Sequence, residues 1–182
     1  MLRKFIRDES ATVSAEAIIA MPLLFFVFAA TFMWWDGYRT AMTAQKSTFT
    51  ISDLISRQDG DIDQDFIDGM NKMFAFLTNE DVADTSIRVS VVQRKAQADG
   101  SEVHELVWSH VSGTEFAPHA NVQPIRSSIP RISVGNQIII VETHLDWDPQ
   151  VRAGLPDVDT YSLVATNPRS ASPQFKWGND AT

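Results

Sequence analysis

From Ala17 to Trp35 the chain runs for nineteen residues without a charge (AIIAMPLLFFVFAATFMWW). A helix needs about 20 apolar residues to cross a bilayer. The apolar spacing continues past that run, where Tyr38, Met42, Gln45, Phe49, Ser52 and Ile55 recur at steps of three or four, flanked by Ile51 and Leu54. Between Pro22 and Gly60 there is no proline, and the only glycine is Gly37. The pattern predicts one helix from about Thr12 to about Arg57, with residues 17–35 as a membrane span, roughly 70 Å long at 1.5 Å per residue. Its distal half holds too few apolar residues to stand as a free helix and needs a packed partner. Pro22 lacks an N–H and marks a kink or a loosened turn.

Asp59-Gly60-Asp61-Ile62-Asp63 breaks the long helix. A second helix is expected after it, with Phe66, Met70, Met73 and Leu77 as one stripe and Ile67 and Phe74 beside it. Asp61 or Asp63 suits its N-cap. Alternation of Ile87, Val89 and Val91 with Arg88 and Ser90 reads as a strand, and Asp99-Gly100 as a turn into a returning strand over Val103 to Val111. A long loop with Pro118, Pro124 and Pro130 runs from Ser112 to about Gly135. Ile138-Ile139-Ile140-Val141 then opens a strongly apolar strand that continues to Trp147, and Tyr161 to Ala165 forms the last one. The predicted architecture is α+β: a long helix, a shorter helix and a mainly antiparallel sheet of about four strands that covers the distal half of the long helix. Residues 58–165 make the outer domain, 1–11 a leader-like segment, and the Ser-, Pro- and Asn-containing residues 166–182 a flexible surface tail.

Charge orients this arrangement. Residues 1–16 carry Arg3, Lys4 and Arg7 against Asp8, Glu9 and Glu16, so the whole formal charge of −8 lies after the apolar run. Basic residues before the run, and none after it until Arg39, place the N-terminus in the cytoplasm and the following domain outside. Trp34, Trp35 and Tyr38 fall where the far interface should lie. A cleaved secretory signal is the rival reading. It calls for an apolar core of about 7–15 residues and a small-x-small site, whereas this run is longer and ends in Met33-Trp34-Trp35-Asp36. An acidic outer domain argues against nucleic acid and against docking on anionic lipid.

Little in the sequence suggests a reaction. The absence of cysteine removes disulfides, thiolate metal sites and cysteine nucleophiles. The four histidines, His104, His110, His119 and His144, lack helical zinc spacing, and His104-Glu105 begins no HExxH. Asp59, Asp61 and Asp63 resemble the start of a calcium loop, but Gln64 stands where such a loop has Gly and Met70 where it has Glu. No GxSxG elbow, Walker A loop or GxGxxG is present. The sequence therefore implies no cofactor, no metal and no catalytic residue.

Glu16 is the residue that asks for an explanation. A carboxylate within hydrocarbon costs about 2.5–3.5 kcal/mol at the bilayer centre, and this one heads the apolar run. The stretch Arg7-Asp8-Glu9-Ser10-Ala11-Thr12-Val13-Ser14-Ala15-Glu16-Ala17-Ile18-Ile19-Ala20-Met21-Pro22-Leu23-Leu24 resembles the N-terminal signature of the TadE/TadG-like family, pilin-like proteins of the tight-adherence (Flp) pilus assembly system. Glu16, Ala20 and Pro22 fall in place, and Asp53-Leu54-Ile55-Ser56-Arg57 is similar to the end of the helix in some members. Ala11 stands where the family has Gly, and Ala17 where it has an aromatic residue. The resemblance implies a minor pilin or pseudopilin in the bacterial inner membrane. Its partners would be the lipid bilayer, other pilin-like subunits and the assembly machinery. It also implies a prepilin peptidase cut between Ala11 and Thr12 in those members that are cut. The new ammonium at Thr12 would lie about 6 Å along the axis from Glu16 and could pair with it or with the Glu of a neighbouring subunit. The other reading leaves Glu16 hydrated at the headgroup level. A membrane-tethered periplasmic binding module that enters no filament remains the alternative function.

Overall fold

A computed structural model describes residues 9–98, 100–147, 158–169 and 175–178. The leader residues 1–8, Asp99 of the expected turn and the 148–157 connection lie outside the described residues. Helix α1 (Glu9–Ser56) contains Pro22. It is followed by α2 (Gln64–Thr78), β1 (Thr85–Ala96), β2 (Glu102–Ser112), β3 (Gln137–Trp147) and β4 (Val158–Thr166). All strand pairs are antiparallel and the sheet order is β2-β1-β3-β4. The α+β class and the four strands agree with the sequence pattern. The chain divides into two compact units, one containing α1 through Arg39 and one beginning at Thr40.

In the first unit, α1 is long and apolar enough to cross a membrane by length and composition. Its side chains from Ile18 through Phe28 are solvent-facing on all sides, with Ile19 and Phe25 more than 70% exposed. A helix apolar all round and left uncovered has no place in water without a partner or a bilayer.

In the second unit the sheet has two covered faces. Ile87, Val89 and Val91 of β1, with Ile139, Val141 and Leu145 of β3, pack against Ala44, Ile51 and Ile55 of α1 and Ile67 and Phe74 of α2. The opposite face carries Val92, Ile138 and Ile140, closed over by Ile125 and Ile132 from the β2–β3 connection. This explains why the Ile138–Val141 run does not alternate: both faces of an inner strand are buried.

Local signals place the elements. The Asp63 carboxylate accepts a 2.8 Å bond from the Phe66 N–H and caps α2. Asn79, at φ 60°, ends the helix in the left-handed conformation, with the Asn79 and Glu80 N–H groups bonded back to Phe76 and Ala75 carbonyls. The β1–β2 hairpin closes through Gly100 at φ 81° and a 2.8 Å bond from Gln97 N–H to Ser101 O.

Three expectations need correction. The α2 face that is fully buried runs through Ile67, Asn71, Phe74, Ala75 and Thr78, whereas Phe66 and Met70 are only half-buried. The buried face of distal α1 is likewise only part of the predicted stripe: Ser52, Ile55 and the flanking Ile51 are buried as expected, but Tyr38, Met42, Gln45 and Phe49 face out. It consists of Ala44, Ser47, Thr48, Ile51, Ser52, Ile55 and Ser56. Finally, part of the 166–182 tail is core. Phe175 is 3% exposed, its N–H donates to Gln137 Oε1 and its carbonyl accepts from Trp108 Nε1. Trp177 bridges to Ile62.

Candidate functional site

The predicted site residues all lie on α1. Ala11 and Thr12 are within its helical backbone, and Glu16 is exposed on it. Pro22 sits inside the helix. The structure gathers no other described residue around Glu16 in an ion pair. What can act on this helix is its surface, and the part beyond Thr40 has two unlike faces.

The sheet-facing side is built from small and hydroxyl residues for a physical reason. In a helix, Ser and Thr hydroxyls can return a hydrogen bond to a carbonyl one turn back. Ser47 bonds Thr43 O at 2.8 Å and Thr48 bonds Ala44 O at 2.9 Å. Short side chains also let the helix approach the strands. Thr48 Oγ1 meets Thr143 Oγ1 of β3 at 2.7 Å, and Ser52 Oγ meets Thr166 Oγ1 of β4 at 2.5 Å. With Ile51, Ile55 and the small residues turned inward, Met42 and Phe49 face out. Phe49 is 55% exposed and Met42 39%, with Gln45 and Lys46 beside them. This is an apolar strip on an otherwise acidic unit.

The second concentration of functional groups was not legible as a cluster in the sequence. It lies on the far face of the sheet, where Arg88 of β1 stands directly opposite Glu142 of β3. Glu142 is 1% exposed. Arg88 donates from Nε to Oε2 and from Nη2 to Oε1, both at 2.6 Å. His119 Nε2 meets Oε2 at 2.8 Å, and Tyr161 O–H of β4 donates to Oε1 at 2.6 Å. Phe116 lies over the guanidinium at 4.6 Å and meets the Tyr161 and His144 rings edge-on.

Burial alone would push the Glu142 carboxyl up. The hydrogen bonds from Arg88, Tyr161 and His119, together with the charge of Arg88, outweigh it and hold the group below the ordinary carboxylate range. Tyr161 moves the other way: burial, and then the neighbouring Glu142 carboxylate, raise its phenol above the ordinary value. Each carboxylate oxygen thus receives two donors and the phenol stays protonated. No acceptor capacity is left for a substrate proton, and Tyr161 is kept from acting as a base. The arrangement works as a fastening.

What it fastens is the β2–β3 connection. Arg88 Nη1 also donates to Ala117 O at 2.9 Å. Ser86 Oγ accepts from the Thr114 and Glu115 N–H groups, and Ser109 Oγ accepts from the His119 N–H. At the other end Arg94 Nη1 holds Ile132 O at 2.6 Å, while Arg94 also pairs with Glu102. The strap is bonded to β1 and β2 near both of its ends. The signal that could have revealed the cluster was Glu142 itself, a lone carboxylate in a run of apolar strand residues.

The remaining sequence candidates stay apart. His110 stacks on Trp177 with ring centroids 3.3 Å apart, and His104 is on β2. Among the described residues no group of three or more His, Asp or Glu side chains is placed to hold a metal ion. Comparison of the chain with family models, with curated proteins and with solved structures finds no match.

Proposed function

We propose that this chain is a single-pass inner-membrane, pilin-like protein, a minor pilin or pseudopilin of a tight-adherence type pilus or a related secretion system. Residues 17–35 cross the bilayer, the N-terminus is cytoplasmic and the acidic α+β unit is periplasmic. The role is structural: α1 inserts and then packs beside other pilin-like helices, and no reaction is catalysed. The resemblance of residues 7–24 to the TadE/TadG-like signature supports this reading, as does an apolar helix of sufficient length.

The observation that carries it is the outward strip at Met42 and Phe49. The sheet already stabilises the opposite face of α1, so this strip does not serve the fold, and exposed apolar side chains on a helix suit a neighbouring helix. Because the chain has no cysteine, a single Cys at Phe49 can be cross-linked cleanly in native membranes. Cross-linked products at Phe49→Cys, but not at the exposed strand position Asp146→Cys, are expected. Their absence at both positions favours the tethered binding module that enters no filament. Mass spectrometry of the mature chain tests the cut between Ala11 and Thr12, and Glu16→Ala tests charge pairing in assembly. Unchanged co-assembly of Glu16→Ala would sink the pairing role.

A further inference from the structure

The C-terminal end of α2 presents a second surface, distinct from the long helix. Phe76 is 82% exposed, more than any other large apolar side chain among the described residues, and Val82 nearby is 44% exposed. Together with Ala75, Asn79, Glu80, Asp81 and Asp84, Phe76 lines a shallow depression of about 380 Å³. Its walls are held firmly. The left-handed Asn79 and the bonds of the Asn79 and Glu80 N–H groups close the helix end, Asp84 N–H bonds Asp81 O at 3.0 Å, and Thr85 Oγ1 bonds Val82 O at 3.1 Å. The depression therefore exists before any ligand arrives, which lowers the ordering cost of binding.

Its chemistry is one-sided. Among the described residues three carboxylates line it and no cation does, and the nearest basic residue on the helix is Lys72, one turn before Phe76. The Asp81 and Asp84 carboxylates have no hydrogen-bond or ion-pair partner among the described residues. These acids form no metal-sized group, since none exists among the described residues. An exposed aromatic ring within an acidic rim is the complement of an apolar side chain flanked by Lys or Arg. We propose that this depression docks a basic, amphipathic peptide segment of another protein, with an apolar side chain of that segment seated against Phe76 and its cations against Asp81 and Asp84. Nucleic acid and anionic lipid are repelled by the same rim.

The test uses the full chain in neutral detergent micelles, carrying the single substitution Lys72→Cys, exposed one turn before Phe76, labelled with a trifluoromethyl group. The probe is a short peptide of alternating Lys and Leu, followed by the ¹⁹F resonance, which reports this site and not the micelle. A saturable shift is expected with this peptide and none with a Glu/Leu peptide of the same length. Phe76→Ser should abolish the shift, and it leaves the fold intact because the ring contributes almost no buried surface. Asp81→Asn with Asp84→Asn should weaken binding about tenfold, as does high salt, for two exposed ion pairs. No saturable shift, an equal response to the Glu/Leu peptide, or an unchanged response in Phe76→Ser overturns the proposal. Self-association through Phe76, seen by sedimentation, also overturns it, by assigning the face to a second copy.

Discussion

Replacing Glu142 by Gln changes one atom of the side chain and leaves its size intact, yet it removes the acceptor on which the strap is fastened. In the native cluster four donor contacts of 2.6–2.8 Å converge on two oxygens. An amide nitrogen in place of one oxygen faces two of those donors with hydrogens of its own, and Arg88, whose side chain is 13% exposed, loses its counter-charge. Breaking a buried pair by neutralising one partner costs about 3–5 kcal/mol, consistent with losing two hydrogen bonds of which one involves a charge. For a chain of this size that corresponds to a fall in Tm on the order of 10 °C. The assay is thermal unfolding of the full chain in micelles, read by near-UV circular dichroism and by the rate of proteolytic nicking between residues 113 and 134. Converting the cluster to apolar groups with Arg88→Met, Glu142→Leu and Tyr161→Phe should recover more than half of the loss, since no charge is then stranded. A Glu142→Gln protein that melts within about 2 °C of the parent, with the strap no more sensitive to protease, would refute the account of Glu142 as a fastening.

The same cluster makes stability depend on pH at both ends. The Glu142 carboxyl is lowered from 4.5, so its contribution is full above that ordinary value and is lost as pH falls through the lower folded value. The urea-midpoint gap between the parent and Glu142→Gln should narrow over that acid window. The Tyr161 phenol is raised from 10.0, so its contribution is full below that value and declines as pH rises beyond it; the gap between the parent and Tyr161→Phe should close at strongly alkaline pH. Gly113→Ala at φ 96° would set a Cβ 2.6 Å from Thr85 O and 2.8 Å from Ser86 Cα. Because these are backbone atoms, a loss of about 2–4 kcal/mol and a frayed start to the strap are expected in urea unfolding and hydrogen exchange. Asp63→Ala removes the α2 cap and should cost about 1 kcal/mol in the same unfolding measurement, with no change in the strap.

Much of the architecture was written in local patterns. The uncharged run and its continuation produced α1, the Asp-rich break and Asp63 produced the start of α2, and alternation in β1 with a glycine turn produced the hairpin. These signals are local: length without charge, a capping carboxylate and a period of two depend on a few consecutive residues. The faces of the helices were less legible. The stripe placed Ser52 and Ile55 correctly on the buried side of α1, but it also selected Tyr38, Met42 and Phe49, whereas Ala44, Ser47 and Thr48 occupy that side. Hydropathy ranks Phe above Ser, but the sheet rewards close approach, and helical hydroxyls come with their own carbonyl acceptors.

The sequence by itself determined the element order, the α+β class, the lack of thiol chemistry and a helix apolar enough to lie in a membrane. Only the tertiary structure decided which residues meet. Arg88 and Glu142 are 54 positions apart and become partners because β1 and β3 pair in one register, while His119 and Tyr161 arrive from a strap and a third strand. Phe175, in a segment that reads as a loose polar tail, lies in the core, where its ring joins the cluster around Trp108 and its backbone bonds Gln137 and Trp108. Such pairings depend on register and on where distant segments return, and no window of neighbouring residues records either.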